Sequence, residues 1–217
     1  MRRPQRYTLF APAYDVLSCE RLVYRIGRVK GIGALRLHPG TLVLDIGCGT
    51  GLNFPLIREA IGPTGRIVGV EVNASMLARA RAKAERQGWM DIDMEKADAT
   101  TLTPGWLNGH LGPQRGLGGA DAVLFTYSLS VMTNWRQAWR AATAAARPGA
   151  RVAVVDMRTP AGPATVLAPL ARLGCILGGS DITAHPWTAL ERECTDVEAW
   201  SLRGGHIQVR AGTLRSP

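Results

Sequence analysis

Short segments of strand character alternate with longer segments of helical period along most of this chain. Five segments, at 41–46, 66–71, 92–97, 120–125 and 150–157, predict strands, and most of them contain a continuous apolar run. Continuous apolar runs are typical of strands that are buried on both faces of a sheet. The intervening segments repeat their apolar positions every three to four residues and predict helices. This alternation predicts an α/β protein with a doubly wound, mostly parallel sheet.

The pattern changes after the fifth strand. Residues 158–182 combine prolines and glycines with an apolar run of helical character, and residues 186–194 predict a short helix. Two further segments, 197–202 and 206–213, flank a Gly-Gly turn and predict an antiparallel hairpin.

A leading helix is predicted over residues 14–36. Arg21, Arg25 and Arg28 recur there at helical spacing, so one face of the helix is basic. The apolar stripe beside them consists of Leu22, Ile26, Val29 and Gly33. Two uses of this amphipathic helix stay open: packing onto the protein's own core, or contact with an anionic lipid surface.

The first predicted strand contains an acidic residue near its end, and three glycines follow at alternate positions. Asp45 precedes Gly47, Gly49 and Gly51. Glycine lacks the Cβ that would block a close approach, so this turn can place backbone N–H groups against a bound nucleoside cofactor. The second strand also ends in a carboxylate, Glu71. It lies about 20 residues after the last glycine, the spacing at which an acid meets ribose hydroxyls.

Two motifs of the chain resemble those of the class I S-adenosylmethionine-dependent methyltransferases. The run LDIGCGTG resembles their first motif and GVEVNASML their acidic second motif, and the resemblance extends over residues 40–157. Dinucleotide dehydrogenases use G-x-G-x-x-G instead. The resemblance implies a Rossmann-like fold, S-adenosylmethionine as cofactor, S-adenosylhomocysteine as product, and no metal. Methyl transfer from a sulfonium is a single in-line displacement, so alignment and exclusion of water are the main requirements.

The resemblance also implies roles for individual residues around the cofactor. The glycines would form its cradle, Asp45 would support the loop and the methionine part, and Glu71 would accept both ribose hydroxyls. The residues implied near the adenine are Met76, Asp98 and Ala99. Each has a structural alternative, because the glycines can serve strand–helix packing alone and Met76 can be an ordinary core residue.

Two tyrosines are the candidates for the acceptor side. Tyr127 follows the fourth predicted strand, and ligands lie beyond the carboxyl ends of strands in an open α/β sheet. Tyr14 belongs to the pattern R-Y-x-x-x-A-x-x-Y-D, which resembles the start of bacterial phospholipid N-methyltransferases and quinone C-methyltransferases. An aromatic face can hold a methylated ammonium by cation–π attraction. Internal packing is the alternative for both residues.

Composition adds a strong positive charge to this picture. The 217 residues carry a net charge of +9, and residues 1–36 hold eight basic residues against two acidic ones. Such a charge attracts nucleic acid, an anionic membrane or an acidic substrate. Because the N/D-P-P-Y/F motif of amino-methylating nucleic-acid enzymes is missing, we expect no nucleic acid. We expect a cytoplasmic protein, with contact at the inner membrane face as an alternative.

We interpret residues 1–217 as a single methyltransferase domain. Residues 1–38 would form a helical cap, residues 40–157 the cofactor-binding core, and residues 158–217 a substrate-side segment with the hairpin. The predicted function is methyl transfer to a small or lipid-like acceptor. An RNA methyltransferase and a non-catalytic cofactor-binding protein are the alternatives, and the oligomeric state stays open.

Overall fold

Seven strands form one sheet in the part of the chain that the structure describes. The structure is a computed structural model, and it describes residues 23–103, 105–111 and 118–215. The strands are β1 (Leu42–Ile46), β2 (Arg66–Glu71), β3 (Ile92–Lys96), β4 (Ala120–Thr126), β5 (Ala146–Met157), β6 (Cys194–Leu202) and β7 (Ile207–Leu214). Their order across the sheet is β3-β2-β1-β4-β5-β7-β6.

Helices connect these strands on both faces of the sheet. The α-helices are α1 (Arg25–Ala34), α2 (Phe54–Ile61), α3 (Ala74–Arg86), α4 (Trp106–Leu111), α5 (Trp135–Ala144), α6 (Ala168–Leu177) and α7 (Trp187–Glu193). Short 3₁₀ turns occur at Ala99–Thr101, Leu129–Val131 and Gly162–Leu167.

The first five strands run parallel, and the last two are antiparallel. β1 pairs with β2 on one side and with β4 on the other, and β5 pairs in parallel with β4. β7 is antiparallel to both β5 and β6, so the predicted C-terminal hairpin is confirmed. Because the chain order reverses between β1 and β4, a crevice opens at the carboxyl ends of these two strands, where open α/β sheets bind ligands.

Apolar side chains from the central strands alternate between two hydrophobic clusters, one on each face of the sheet. Leu44 contributes to one cluster, which also contains Phe125 and Trp139. Its neighbour Val43 contributes to the other, together with Phe54. Successive residues of a strand point to opposite faces, so a strand covered on both faces has apolar residues at consecutive positions, as Leu42, Val43 and Leu44 of β1 do.

Helix α3 forms as its sequence predicts. The side chain of its N-cap, Asn73, accepts hydrogen bonds from two backbone N–H groups of the first turn. The face formed by Met76, Leu77, Ala80 and Ala84 is buried. The side-chain cap therefore determines where this helix begins, and the apolar period determines which of its faces is buried.

Helix α1 packs through a different face from the predicted one. Ile26 and Val29, in the predicted apolar stripe, are exposed, whereas Arg28 of the predicted basic face is buried. The reason lies in two glycines. A Cβ on Gly31 would lie 2.3 Å from a methyl of Val155, and a Cβ on Gly27 would lie 2.7 Å from a methyl of Ile207. The helix approaches β5 and β7 more closely than larger residues would allow.

Candidate functional site

The three glycines of the loop after β1 all have a left-handed backbone, with φ of +70° at Gly47, +57° at Gly49 and +72° at Gly51. Their surroundings differ. A Cβ on Gly47 would lie 2.5 Å from the Cβ of Ser128, and one on Gly51 would lie 2.6 Å from the ring of Phe54. Among the described residues, a Cβ on Gly49 would meet only the sulfur of Met76, at 4.0 Å. Two glycines therefore allow close packing, and the third leaves bare backbone beside the crevice.

Glu71 joins the end of β2 to this loop. Its Oε2 accepts from the N–H of Gly49 at 3.1 Å, and its Oε1 accepts from the N–H of Asn73 at 2.8 Å. Burial raises the pKa of this carboxyl, and the backbone hydrogen bonds oppose that rise. Each carboxylate oxygen has a second lone pair, so Glu71 retains acceptor capacity for two ribose hydroxyls.

Asp45 lies beneath the loop and is completely buried. Both of its carboxylate oxygens accept from the amide nitrogen of Asn53, at 2.8 and 2.9 Å, and the amide oxygen of Asn53 accepts from Arg28 of α1. Burial raises the pKa of Asp45 to about 7, although Asn53 and the charge of Arg28 lower it, while the charge of Glu71 adds to the rise. This network ties the N-terminal helix to the glycine loop.

The predicted adenine-side residues lie at the carboxyl ends of β2 and β3 or just beyond them. Met76 and Ala99 are buried, and the sulfur of Met76 is the atom that lies over Gly49. Asp98 is exposed, and its Oδ1 accepts from the backbone N–H and the hydroxyl of Thr100. These hydrogen bonds stabilise the short 3₁₀ turn after β3, and Asp98 is the N-cap of that turn.

Tyr127 lies at the carboxyl end of β4, where the sequence predicts it. Its hydroxyl donates to the backbone oxygen of Tyr24 at 2.8 Å, and the two rings pack edge to face with centroids 5.0 Å apart. The hydroxyl of Tyr24 lies 3.5 Å from Nε2 of His206, whose Nδ1 lies 2.8 Å from the backbone oxygen of Arg158. An aromatic cluster therefore borders the crevice on the β5 side. Tyr14 lies outside the described residues.

The segment 158–182 lies against this cluster and is attached near its start, in its middle and near its end. Near its start, the N–H of Ala161 donates to the backbone oxygen of Gly204 in the hairpin turn. In its middle, Cys175 packs against Met157 at the end of β5. Near its end, the N–H of Asp181 donates to the backbone oxygen of Ser130. The segment thus walls the crevice beside β4 and β5.

A buried carboxylate supports the loop to which this segment is attached. Asp156 of β5 accepts from the hydroxyl of Ser130 at 2.6 Å, and from the N–H groups of Ser130 and Met157 at 3.0 and 2.8 Å. Burial raises the pKa of Asp156 to about 6, against the effect of these hydrogen bonds. Because every one of these contacts lies inside the protein, we assign Asp156 to the support of the loop.

The outer face of the same segment is apolar and exposed. Leu170 and Leu177 of α6 are 69% and 71% exposed, and Val166 before the helix is 81% exposed. The other exposed apolar residues of this face are Leu167, Leu173 and Ile176. A contiguous apolar surface of this kind is typical of a site that contacts a partner, a lipid or an amphiphilic ligand.

The sequence does not predict the contacts of three residues of the site, namely Asn53, Arg28 and Ser128. Asn53 follows the glycine loop directly, but a single polar residue there gives no periodic signal. Arg28 was placed on an exposed basic face. The hydroxyl of Ser128 is buried beside Gly47, and only the turn that follows β4 brings these two residues together.

The residues present fit the cofactor that the motifs imply. Gly49 leaves open backbone at the crevice, and Glu71 lies beside it. On the β4 side lies the buried hydroxyl of Ser128, which makes no hydrogen bond to the part of the chain that the structure describes. Among the described residues, no cluster of three or more metal-ligating side chains occurs. Within the same residues, no helix is both long enough and apolar enough to cross a bilayer.

Comparison with known proteins agrees with this fold. Residues 43–149 match a family described as "Methyltransferase domain". The fold resembles the crystal structure of a SAM-dependent methyltransferase from Aquifex aeolicus, with a TM-score of 0.59 and 15% identity over 88% of this chain and 93% of that one. Together, these similarities show that residues 43–149 form a methyltransferase domain and that the chain has the fold of S-adenosylmethionine-dependent methyltransferases.

Its curated relatives include methyltransferases named for quinones. The chain is 26% identical to the 2-phytyl-1,4-naphtoquinone methyltransferase of Synechococcus elongatus, over 70% of this chain and 62% of the relative. It is 29% identical to the ubiquinone/menaquinone biosynthesis C-methyltransferase of Hahella chejuensis, over 70% of this chain and 58% of the relative. The chain therefore spans less than two thirds of the length of either relative.

Proposed function

We propose that this protein transfers the methyl group of S-adenosylmethionine to an amphiphilic acceptor. Either a quinone- or phenol-type ring or a lipid amine would satisfy the proposal. The observation that carries it is the exposed apolar face of residues 166–177, which belongs to the segment that walls the crevice beside β4 and β5. The names of the quinone relatives add support for an apolar acceptor.

The residues of the site would act mainly by position. Bound S-adenosylmethionine supplies a methyl group that its sulfonium charge already activates. Glu71 and the backbone at Gly49 would hold the ribose, with Asp98 and Met76 at the adenine, while the network of Asp45 would keep the loop rigid. When bound, the cofactor would supply its methyl group to an electron pair of the acceptor and would keep the S–CH₃ bonding pair on sulfur. In-line alignment supplies most of the required catalysis.

The acceptor would enter past the wall, at the side of the crevice that the aromatic cluster borders. The hydroxyl of Tyr127 is engaged by the backbone of Tyr24, so we propose that Tyr127 orients the acceptor pocket through its ring. Tyr14 remains a proposed cation–π partner for a methylated ammonium. We propose the helical cap over residues 1–38, the core over 40–157 and the substrate-side unit over 158–217 as the working parts of one domain.

Contact with the inner face of an anionic membrane would bring the enzyme to an amphiphilic acceptor. The net charge of +9 attracts anionic lipid, and Arg172 is exposed among the apolar residues of α6. Apolar burial together with electrostatic attraction is the usual basis of interfacial binding. We therefore propose a cytoplasmic enzyme that associates with the membrane surface.

The test compares acceptors with short and long apolar tails. Labelled S-adenosylmethionine is incubated with naphthoquinols or lipid amines, each as a water-soluble short-chain form and as a long-chain form in anionic vesicles. For the variants Leu170→Asp and Leu177→Asp, we expect the KM for the long-chain acceptor to rise about tenfold, because a charge replaces apolar contact. The short-chain KM should stay unchanged.

A matched control is Met90→Asp. Met90 is 90% exposed and lies just before β3, at the opposite edge of the sheet. This variant should leave both KM values as in the wild type. An equal loss for short- and long-chain acceptors in the α6 variants would refute the apolar face as the acceptor route. Absence of methyl transfer to every amphiphile, with transfer to a polar substrate, would refute the acceptor class.

A further inference from the structure

Three cationic side chains line one hollow beside helix α3. The hollow has a volume of about 160 Å³, and the residues that line it are Thr50, Arg79, Ala82, Lys83 and Arg86. The four residues of α3 among them are spaced at i, i+3, i+4 and i+7, so they share one face of the helix. Among the described residues, no carboxylate lines this hollow, which we call the α3 hollow.

Two of these cations have no partner in the part of the chain that the structure describes. Neither Arg79, which is half-buried, nor Arg86, which is exposed, makes a hydrogen bond or an ion pair with a described residue. Arg81 of the same helix differs, because it donates to the backbone oxygen of Met94 at 2.8 Å. A half-buried guanidinium has lost part of its hydration, so an anion that pairs with it would be favoured.

The stability of α3 does not explain this grouping of charges. Arg79 and Lys83 are spaced at i and i+4, and Lys83 and Arg86 at i and i+3, where like charges repel one another. The helix dipole favours cations in the last turn, which accounts for Lys83 and Arg86. Arg79 lies near the middle of the helix and gains nothing from the dipole. The cluster therefore requires an explanation other than helix stability.

The α3 hollow adjoins the glycine loop. The Nζ of Lys83 donates to the backbone oxygen of Thr50 at 2.8 Å, and Thr50 lies between Gly49 and Gly51. This hydrogen bond fixes the lysine side chain, so its charge is held at the hollow before any anion binds. Preorganisation of this kind lowers the entropic cost of binding.

We propose that the α3 hollow binds a phosphate group. A guanidinium matches a phosphate in shape and can donate two parallel hydrogen bonds to it, while an ammonium adds a point charge. Such a phosphate belongs either to a free phosphate compound or to the headgroup of an anionic lipid, and the same side chains recognise both. The proposal depends neither on the methyl donor nor on the acceptor of the proposed function.

Calorimetry of the full chain with inorganic phosphate and with pyrophosphate, at constant ionic strength, tests the site. Arg79→Gln should weaken binding about tenfold, because charge-assisted hydrogen bonds are lost. The matched control is Arg81→Gln, which removes the same charge from the same helix but from a side chain that does not line the hollow. This control should bind as the wild type does. Without ligand, Arg79→Gln should melt at the wild-type temperature or higher.

Vesicles distinguish the two sources of the phosphate. They consist of phosphatidylcholine with phosphatidic acid, and bound protein is measured by sedimentation. If the phosphate is that of a lipid, Arg79→Gln should reduce sedimentation and Arg81→Gln should not. If it is that of a free compound, both variants should sediment as the wild type does, while only Arg79→Gln weakens pyrophosphate binding. Either result supports the site.

Four results would overturn the assignment. Equal weakening by Arg79→Gln and Arg81→Gln would show that only net charge matters, and absence of binding to every phosphate probe would remove the ligand. A lower melting temperature of Arg79→Gln without ligand would make the arginine structural. Binding of an RNA oligonucleotide that pyrophosphate does not displace would indicate a nucleic-acid surface instead. Binding of S-adenosylhomocysteine, measured in parallel, tests the proposed function separately.

Discussion

Gly49 differs from its two neighbouring glycines in what a side chain there would meet. Gly47 and Gly51 are required for packing, since an added Cβ would collide with Ser128 or Phe54. Gly49 requires only its left-handed φ, and the space beside its Cα is open. Because the glycine at this position is not needed for internal packing, we propose that Gly49 is where the ligand approaches the loop.

Substitution of Gly49 should therefore separate binding from folding. We expect Gly49→Val to lower the unfolding free energy by only about 1–2 kcal/mol, the cost of a left-handed backbone for a residue with a side chain. Binding of S-adenosylhomocysteine should be abolished, because the side chain fills the cradle. Calorimetry and urea unfolding measure the two effects. Gly51→Ala, the control, should lose more stability than Gly49→Ala, and retained binding by Gly49→Val would contradict the cradle.

Glu71 gives a second prediction at the scale of single residues. Removal of its carboxylate in Glu71→Ala should weaken cofactor binding by about 1–3 kcal/mol, since ribose hydroxyls lose their acceptors. Adenosine and 2′-deoxyadenosine, titrated by calorimetry, provide the comparison. The wild type should prefer adenosine, and the variant should bind both nucleosides alike. Unchanged adenosine affinity in the variant would place the ribose elsewhere.

At the scale of elements, α1 shows how small residues decide the way a helix packs. Its Gly27 and Gly31 lie one turn apart on the face that contacts β5 and β7, while Gly33 is exposed and has no atom near its Cβ position. Close approach brings Arg28 inside, where it reaches Asn53 and so the glycine loop. The packing of this helix thus supports the cofactor site.

Replacement by alanine at two glycines of α1 should change the unfolding free energy in opposite directions. Gly31→Ala should lower the unfolding free energy by about 1–3 kcal/mol, because its methyl would overlap Val155. Gly33→Ala should raise it, by up to about 1 kcal/mol, because alanine is the better helix former and the site is open. Chemical denaturation measures both. Stabilisation by Gly31→Ala would mean that the helix does not approach β5 so closely.

At the scale of the whole molecule, two buried carboxyls make stability depend on pH. The pKa of Asp45 is raised to about 7 and that of Asp156 to about 6, both from an ordinary value of 3.8. Because the pKa of each carboxyl is higher in the folded than in the unfolded state, folding takes up protons at pH values between 3.8 and the raised pKa. The contribution of each group to stability is therefore complete below pH 4 and is lost as the pH rises through 6 to 7.

Replacement of Asp45 by asparagine isolates this effect. We expect the unfolding free energy of the wild type, minus that of Asp45→Asn, to fall between pH 4 and 7 and to level off above that range. Its slope should not exceed about 1.4 kcal/mol per pH unit, the limit for one proton. Urea unfolding at a series of pH values provides the curve. A difference that increases with pH would show that the pKa of Asp45 is lowered in the folded state.

The sequence by itself determined the strands, the glycine loop and the buried face of α3. These features follow from local geometry: strands and helices impose fixed periods on apolar residues, and a side-chain cap or a glycine acts within a few residues. The tertiary structure alone decided the packing face of α1, the network from Arg28 to Asp45, and the position of Ser128 beside Gly47. Glycines that permit close approach carry no apolar signal, and residues far apart in the chain meet only when the sheet forms. Hydrophobic pattern therefore specifies the framework of the site, while shape complementarity between distant elements specifies its polar contacts.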